Sequence, residues 1–507
     1  MKRIVKKEKV EESKVTEGEV EVKNETISQE VAQPQTSEQE DNLVVAEGAE
    51  TAVAAKGDEV PVEQEVLADE NNAKPNKWYT KLFKRANKND KEKKATKEKQ
   101  PQNTKERILS IDRFRGLCMF AMVCSFVFGI FSAFGFFAPV IDHAPDGFQV
   151  LPGVSFADLF AAMFIFVIGL TMVKSFKSRE AKFGTRKAYF QLATRFLALI
   201  GVGILFNGFE NGWAELFIGE STWADFSIKI KIFGVMFWIA VALLIVYVIS
   251  VFVKNPKFKK VSEMMLRYFL AIAGVMALYF ILVSTGEKIT PPVDGERFGG
   301  WEWDTLQNIG LAGLLALPFV KFDKWGRLTM VGIIFTVMTV LMQNGLFPLA
   351  NSILEGGIFG GFSWACILLL GSVFADLKDH KLYWVLTSLL LLISVVLIVG
   401  FDFIAAKRGC TPVYAMFCAS VSAMIWGGLN FLNNWKPKFD FFAVWGSNAI
   451  LTYILTIFFV GMILGGVFSS SLSSVNIGVA IVIALVILAL FTVMNWLLKR
   501  KNIYIRI

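Results

Sequence analysis

The chain has 507 residues, 54% of them hydrophobic and 14% aromatic, with 47 Phe and a formal charge of +8. That is too apolar for a soluble globular protein and fits a multipass membrane protein. The positive charge sits in short loops and no DNA- or RNA-reading motif is present, so nucleic acid is excluded as a partner.

Charge is segregated along the sequence. Residues 1–107 hold most of the Glu and Gln, nearly half of the Lys and almost no aromatics. Such a segment buries too little apolar surface to offset its ordering entropy, so a disordered cytoplasmic tail is expected. Its start is basic but has no apolar run behind it, which is not a signal peptide. Trp78, Tyr79, Leu82 and Phe83 lie among Lys77, Lys81, Lys84 and Arg85. That spacing suits a short interfacial helix, with a solvated linker as the alternative. The five cysteines show neither pairing nor metal spacing, so no disulfide framework and no metal site is read.

Twelve apolar runs follow, each long enough or nearly so to cross a hydrocarbon core of roughly 30 Å. They cover about 116–137, 156–173, 188–208, 230–253, 266–284, 304–320, 328–343, 360–376, 382–401, 412–432, 441–465 and 476–498. The expected fold class is an all-α membrane protein, with about 11–12 transmembrane helices over residues 108–507. Basic connections alternate with neutral or acidic ones: Lys174 to Lys187, Lys254 to Lys260, Lys321 to Arg327, Lys436 and Lys438, and Lys499 to Arg506. This positive-inside pattern puts both termini in the cytoplasm of a plasma-membrane protein. Lys407 and Arg408 break it by falling on the outer side, which invites a function for them.

Ser110-Ile111-Asp112-Arg113-Phe114-Arg115-Gly116 leads into the first run. Charges there are costly unless paired or bound to something, and Arg holds phosphate bidentately. A topogenic Asp–Arg pair is the structural alternative. His143, one of two histidines, follows in Asp142-His143-Ala144-Pro145-Asp146-Gly147 on the expected outer side. Imidazole titrates near working pH, which makes His143 the leading candidate for proton transfer. Asp158 opens the second span and can fix the imidazole tautomer; a loop His beside Pro and Gly is, taken alone, more often structural. Arg195 lies inside the third span, where Asp112 or the phosphate of a cytoplasmic donor are the two candidate partners. Asp304, Gln307 and Asn308 sit at the outer end of the sixth span. Thr411-Pro412-Val413-Tyr414 opens the tenth. Gly446, Asn448, Ala449 and Tyr453 lie in the eleventh, where Asn and Tyr commonly make interhelical hydrogen bonds.

In this order the segments resemble the heparan-α-glucosaminide N-acetyltransferase family and its bacterial relatives, multipass membrane acyltransferases. The family's Ser-Leu-Asp-x-x-Arg-Gly opening is matched by Ser110 to Gly116. Its His-Ala, Ala-Asp-Leu and Phe-x-Phe-x-x-Gly segments are matched by His143-Ala144, Ala157-Asp158-Leu159 and Phe164 to Gly169. Arg195, Leu306-Gln307 with Gly310, Glu355-Gly356, Leu370-Gly371, Thr411 to Tyr414, and Gly446, Asn448, Ala449 and Tyr453 continue the match, which covers about residues 107–465. The interval from His143 to Asp158 is longer than the family's, and Pro145-Asp146-Gly147 replaces its aromatic and Gly.

The resemblance implies a membrane-bound, acetyl-CoA-dependent acyltransferase. It would move an acetyl group from cytoplasmic acyl-CoA to an amine or hydroxyl of an extracytoplasmic glycan or amino sugar. His143 would be the catalytic residue, as base or as transient acyl carrier, with Asp158 orienting it. Asp112, Arg115 and Arg195 are expected to bind the donor. Gln307, Asn308, Asn448 and Tyr414 are expected to bind the acceptor. The other expected partners are the bilayer and, as a candidate homo-oligomer, a second copy of the chain. A secondary transporter of a small polar solute is the rival reading, opposed by the scarcity of midplane charges and of paired Gly/Pro-broken helices. An interaction protein acting through its tail is the third.

Overall fold

An apolar segment in lipid must close its backbone hydrogen bonds within itself, and this chain does so with helices. The computed structural model describes residues 109–505 apart from 132–134, 136–139, 141, 145–148, 209–227, 254, 288–304, 353, 436, 469–470 and 473. The expected disordered tail, its interfacial helix and Asp304 lie outside the described residues.

Helix α1 (Leu109–Gly129) is followed by a small antiparallel hairpin, β1 (Gln149–Leu151) and β2 (Val154–Ser155). Then come α2 (Leu159–Phe183), α3 (Thr185–Gly208), α4 (Ile228–Phe252), α5 (Pro256–Glu287) and the short α6 (Thr305–Ala316). The rest are α7 (Lys324–Asn351), α8 (Gly357–Leu377), α9 (Leu382–Gly400), α10 (Pro412–Phe431), α11 (Phe441–Gly465) and α12 (Ile477–Arg500). Among the described residues, ten helices are long and apolar enough to cross a membrane; α1 and α6 complete the set. The expected class, a multipass all-helical membrane protein, is the one observed.

Three details differ from expectation. Helix α1 begins at Leu109, so Asp112, Arg113 and Arg115 lie inside its first two turns rather than ahead of it. Helix α6 has only 12 residues, about 18 Å at 1.5 Å per residue, and ends in a 3-10 turn at Leu317–Lys321 that holds Pro318. Broken helices are also present. Asn344 and Gly345 leave helical geometry within α7, and Gly446–Asn448 narrows to a 3-10 turn within α11.

Burial separates an inner bundle from an outer ring. In the most apolar stretch of α8, 78% of residues are buried, and α2, α3 and α10 are similar, whereas α7, α9 and α12 lie near 20%. The outer helices keep apolar side chains toward the lipid, as Val385, Leu392, Leu485 and Leu490 do. Inner helices meet where small residues let backbones touch. A Cβ at Gly169 of α2 would stand 2.1 Å from the Leu368 carbonyl oxygen of α8, and one at Gly116 of α1 would stand 1.7 Å from that of Phe442 in α11.

The bundle has two distinct ends. At one, Ser110 donates to the Asn430 side chain over 2.6 Å, and Arg113 bonds Asp440 over 2.6 Å and the Leu432 carbonyl over 2.5 Å. The basic connections after α2, α4, α6 and α8 belong to this end, where Lys321 of the α6–α7 turn meets Glu180 of α2 at 3.0 Å. Along α10, Tyr414 lies 16 residues from Asn430, about 24 Å at the helical rise. His143, the 354–356 turn and the 401–411 loop belong with Tyr414.

Candidate active site

Asp158 holds the position before the first turn of α2, where an Asp normally accepts from the helix N–H groups. Its side chain makes no such cap. Instead Oδ1 lies 2.6 Å from His143 Nδ1, while Oδ2 accepts from Ser155 N at 2.8 Å, Ser155 Oγ at 2.9 Å and Ala144 N at 3.3 Å. The β hairpin makes this possible. Pro152-Gly153 turns the chain, Gly153 at φ +80° packs on the Ala405 carbonyl, and β2 delivers Ser155 to the carboxylate. Asp158 is 1% exposed and the His143 side chain 58%. A fixed carboxylate thus holds an imidazole that is open to solvent.

Burial works to raise the Asp158 carboxyl. The bond from His143, the Ser155 N–H and the charges of His143 and Lys407 outweigh it, so the group lies below the usual carboxylate range. An ionised carboxylate only accepts, so Nδ1 carries the proton in neutral imidazole and Nε2 bears the lone pair. Lys407 Nζ stands 3.4 Å from that Nε2 and 2.8 Å from Glu355 Oε1. Asp158, His143, Lys407 and Glu355 therefore form one row, two adjacent basic groups flanked by an acid at each end.

Glu355 and Lys407 were not among the expected site residues, and both are held by unusual backbone. Glu355 has φ 58°, and the following Gly356 and Gly357 are also at positive φ. For a non-Gly residue that conformation is strained and persists only where surroundings enforce it. Here Trp364 Nε1 and Asn308 Nδ2 donate to the Glu355 carbonyl at 3.0 and 3.4 Å. Lys407 opens a tight turn closed by Cys410 N to its carbonyl at 2.8 Å, and Thr411 Oγ1 accepts from Ala406 N. Cys410 is fully buried, and burial, with the Glu355 charge, pushes its thiol well above its ordinary range, so it is no nucleophile.

Of the residues expected on the acceptor side, two meet this row. Asn308 braces Glu355, and the buried Tyr414 donates to the Asp158 carbonyl at 2.7 Å, tying α10 to the start of α2. Gln307 is buried beside Gly203 of α3. Asn448 lies at the other end, where its amide donates to Ile503 O at 3.2 Å and accepts from Ile505 N at 2.9 Å. The expected donor residues also belong to that end or to α3. Asp112 lies 3.7 Å from Arg115, and Arg195 is half-buried on α3. Arg113 carries the strongest structural role there, on Asp440 and two carbonyls beneath the Trp435 ring.

Two signals in the sequence pointed to the missed pair. Glu355 is an acid beside two glycines in an apolar stretch, and Lys407 is a cation against the charge alternation. Among the described residues no group of His, Cys, Asp and Glu is arranged to hold a metal. No protein-family model matches the sequence, and no curated protein is significantly similar to it.

Proposed function

We propose that the chain is a membrane acyltransferase that passes an acetyl group from acyl-CoA, bound at the basic cytoplasmic end, to a sugar amine or hydroxyl at the opposite face. One observation carries this reading: the buried Asp158 carboxylate holds Nδ1 of an accessible imidazole whose Nε2 lone pair lies beside an ammonium. That is the arrangement general-base acyl transfer requires. The acceptor nitrogen or oxygen attacks the thioester carbonyl while Nε2 takes its proton. Lys407 steadies the oxyanion, the C–S bond breaks, and the proton passes from Nε2 to the leaving thiolate. Transient acetylation of Nε2 uses the same atoms in two steps.

The carrier reading draws on the same row, since ionisable groups in a helix bundle relay protons in transporters. The two separate in one experiment. Purified full-length protein in liposomes, given acetyl-labelled acetyl-CoA and an amino-sugar acceptor, is expected to yield an acetylated product. His143→Ala is expected to abolish it while coenzyme A binding and expression persist. Turnover retained in His143→Ala removes the residue from catalysis, and uptake of unchanged solute without an acetyl product favours the carrier.

A further inference from the structure

The basic end carries an open cleft. A cavity of about 700 Å³ opens at the α2–α3 turn. Arg186 and Lys187 line it together with the rings of Phe183, Tyr189 and Phe190 and the side chain of Leu317. The nearby acid does not oppose an anion, because Glu180 is engaged by Lys321 at 3.0 Å and by Thr185 at 2.7 Å.

Two more guanidinium groups belong to this corner. Arg179 lies one turn before Phe183, and Arg267 of α5 precedes Tyr268, whose ring lies 6.3 Å from that of Phe190. Their like charges are near enough to act on each other. Arg267 meets Glu263 through Nη2 at 2.5 Å, yet its Nε, like Arg179 Nη1, is buried without a hydrogen-bond partner among the described residues. Neither side chain lines the cavity, but both add positive charge to its surroundings.

Helix α6 links this corner to the catalytic row. Asn308 near its start bonds the Glu355 carbonyl, and Leu317 just past its end lines the cavity. Nine residues of helix separate them, about 14 Å.

We infer that this cleft seats the nucleotide end of the acyl-CoA donor. Its phosphates lie on Arg186 and Lys187, and its adenine lies against Phe183, Tyr189 and Phe190. The inference rests on the acyltransferase reading and moves the donor's head group away from Asp112 and Arg115. Charge and shape both favour a nucleotide, since the cavity joins cations to flat aromatic walls.

The test is equilibrium binding of coenzyme A to the full chain in nanodiscs of phosphatidylcholine. Arg186→Gln/Lys187→Gln changes exposed residues only, and is expected to weaken coenzyme A by about tenfold or more. Pantetheine, which lacks the nucleotide, is expected to bind equally weakly to both proteins. Adenosine 3′,5′-bisphosphate is expected to compete in the wild type alone. Arg179→Gln, checked for intact folding by its elution and melting profile, is expected to show a smaller loss in the same direction, because Arg179 acts only through its charge. Unchanged coenzyme A affinity in the double variant overturns the inference while leaving the acyltransferase reading intact. If the wild type binds no coenzyme A, both fail. If phosphatidylglycerol discs abolish binding and the bisphosphate never competes, the cleft is a lipid-headgroup site and the inference is also overturned.

Discussion

Lys407 Nζ lies 3.4 Å from His143 Nε2 across 264 residues of chain. An ammonium has donors only, so on the acyltransferase reading proposed above the imidazole would take the acceptor's proton and Lys407 would lend its charge to the carbonyl oxygen. Lys407→Met is therefore expected to lower kcat for acetyl transfer by about 100-fold with little change in KM for the donor. Steady-state kinetics check this. A variant changed only in KM would assign Lys407 to binding.

The Lys407–Glu355 pair is nearly closed to solvent, with side chains 16% and 4% exposed. Removing the cation leaves a buried carboxylate without its ammonium, a loss of about 3–5 kcal/mol. Lys407→Met is thus expected to lower the thermal unfolding midpoint, and Glu355→Gln in the same protein to recover much of it. Kinetics move differently, because the double variant stays slow. A double variant as unstable as the single one would show that the pair does not act as a unit.

The helices were legible because hydropathy and loop charge are local properties. Asp158 and His143 were legible as candidates, though not their closeness, which the hairpin between them sets across 15 residues. Glu355 and Lys407 were not, since neither spacing nor periodicity encodes a contact between two loops that only packing brings together. Asn448 shows the opposite error. Its motif was visible, but its depth was not, and the 3-10 turn at Gly446–Asn448 sets it against the C-terminal segment. Arg113 likewise looked like one charge among several until Asp440, 327 residues away, gave it a partner.

Acid stability provides a test of Asp158. Its folded-state pKa lies below the unfolded value, about 3.9. The stability from its ionisation is therefore fully present above that pH and lost as pH falls through the folded value. Asp158→Asn is expected to melt below the wild type at pH 7, with the two curves converging in strong acid. A gap that persists at low pH would show that the carboxylate's charge contributes nothing.

Arg113 separates architecture from donor binding. It is 3% exposed and bound to Asp440. Arg113→Met is expected to destabilise the protein by about 3–5 kcal/mol, because the partner carboxylate loses its cation. The fraction that remains folded should keep the wild-type coenzyme A affinity. Titration of that fraction decides the matter, since a weakened affinity would place Arg113 in the donor site.

The contact of α1 with α11 is the most sharply defined in the bundle. Gly116 and Gly446 face each other's helix reciprocally. A Cβ at Gly446 would stand 1.9 Å from the Asp112 carbonyl oxygen, and that atom, being backbone, cannot swing aside. Gly446→Ala must therefore push the helices apart, at a cost of about 3 kcal/mol or more. The displacement acts on Asp112 and Arg113 at one end and leaves the row at His143 about 24 Å away along α10. The variant is expected to melt well below the wild type, while the protein still folded at low temperature transfers acetyl groups at a near-normal kcat. Gly129→Ala, on the same helix with open space around its Cβ, is the control expected to be neutral. Equal melting of the two variants would mean that α1 and α11 do not touch as described.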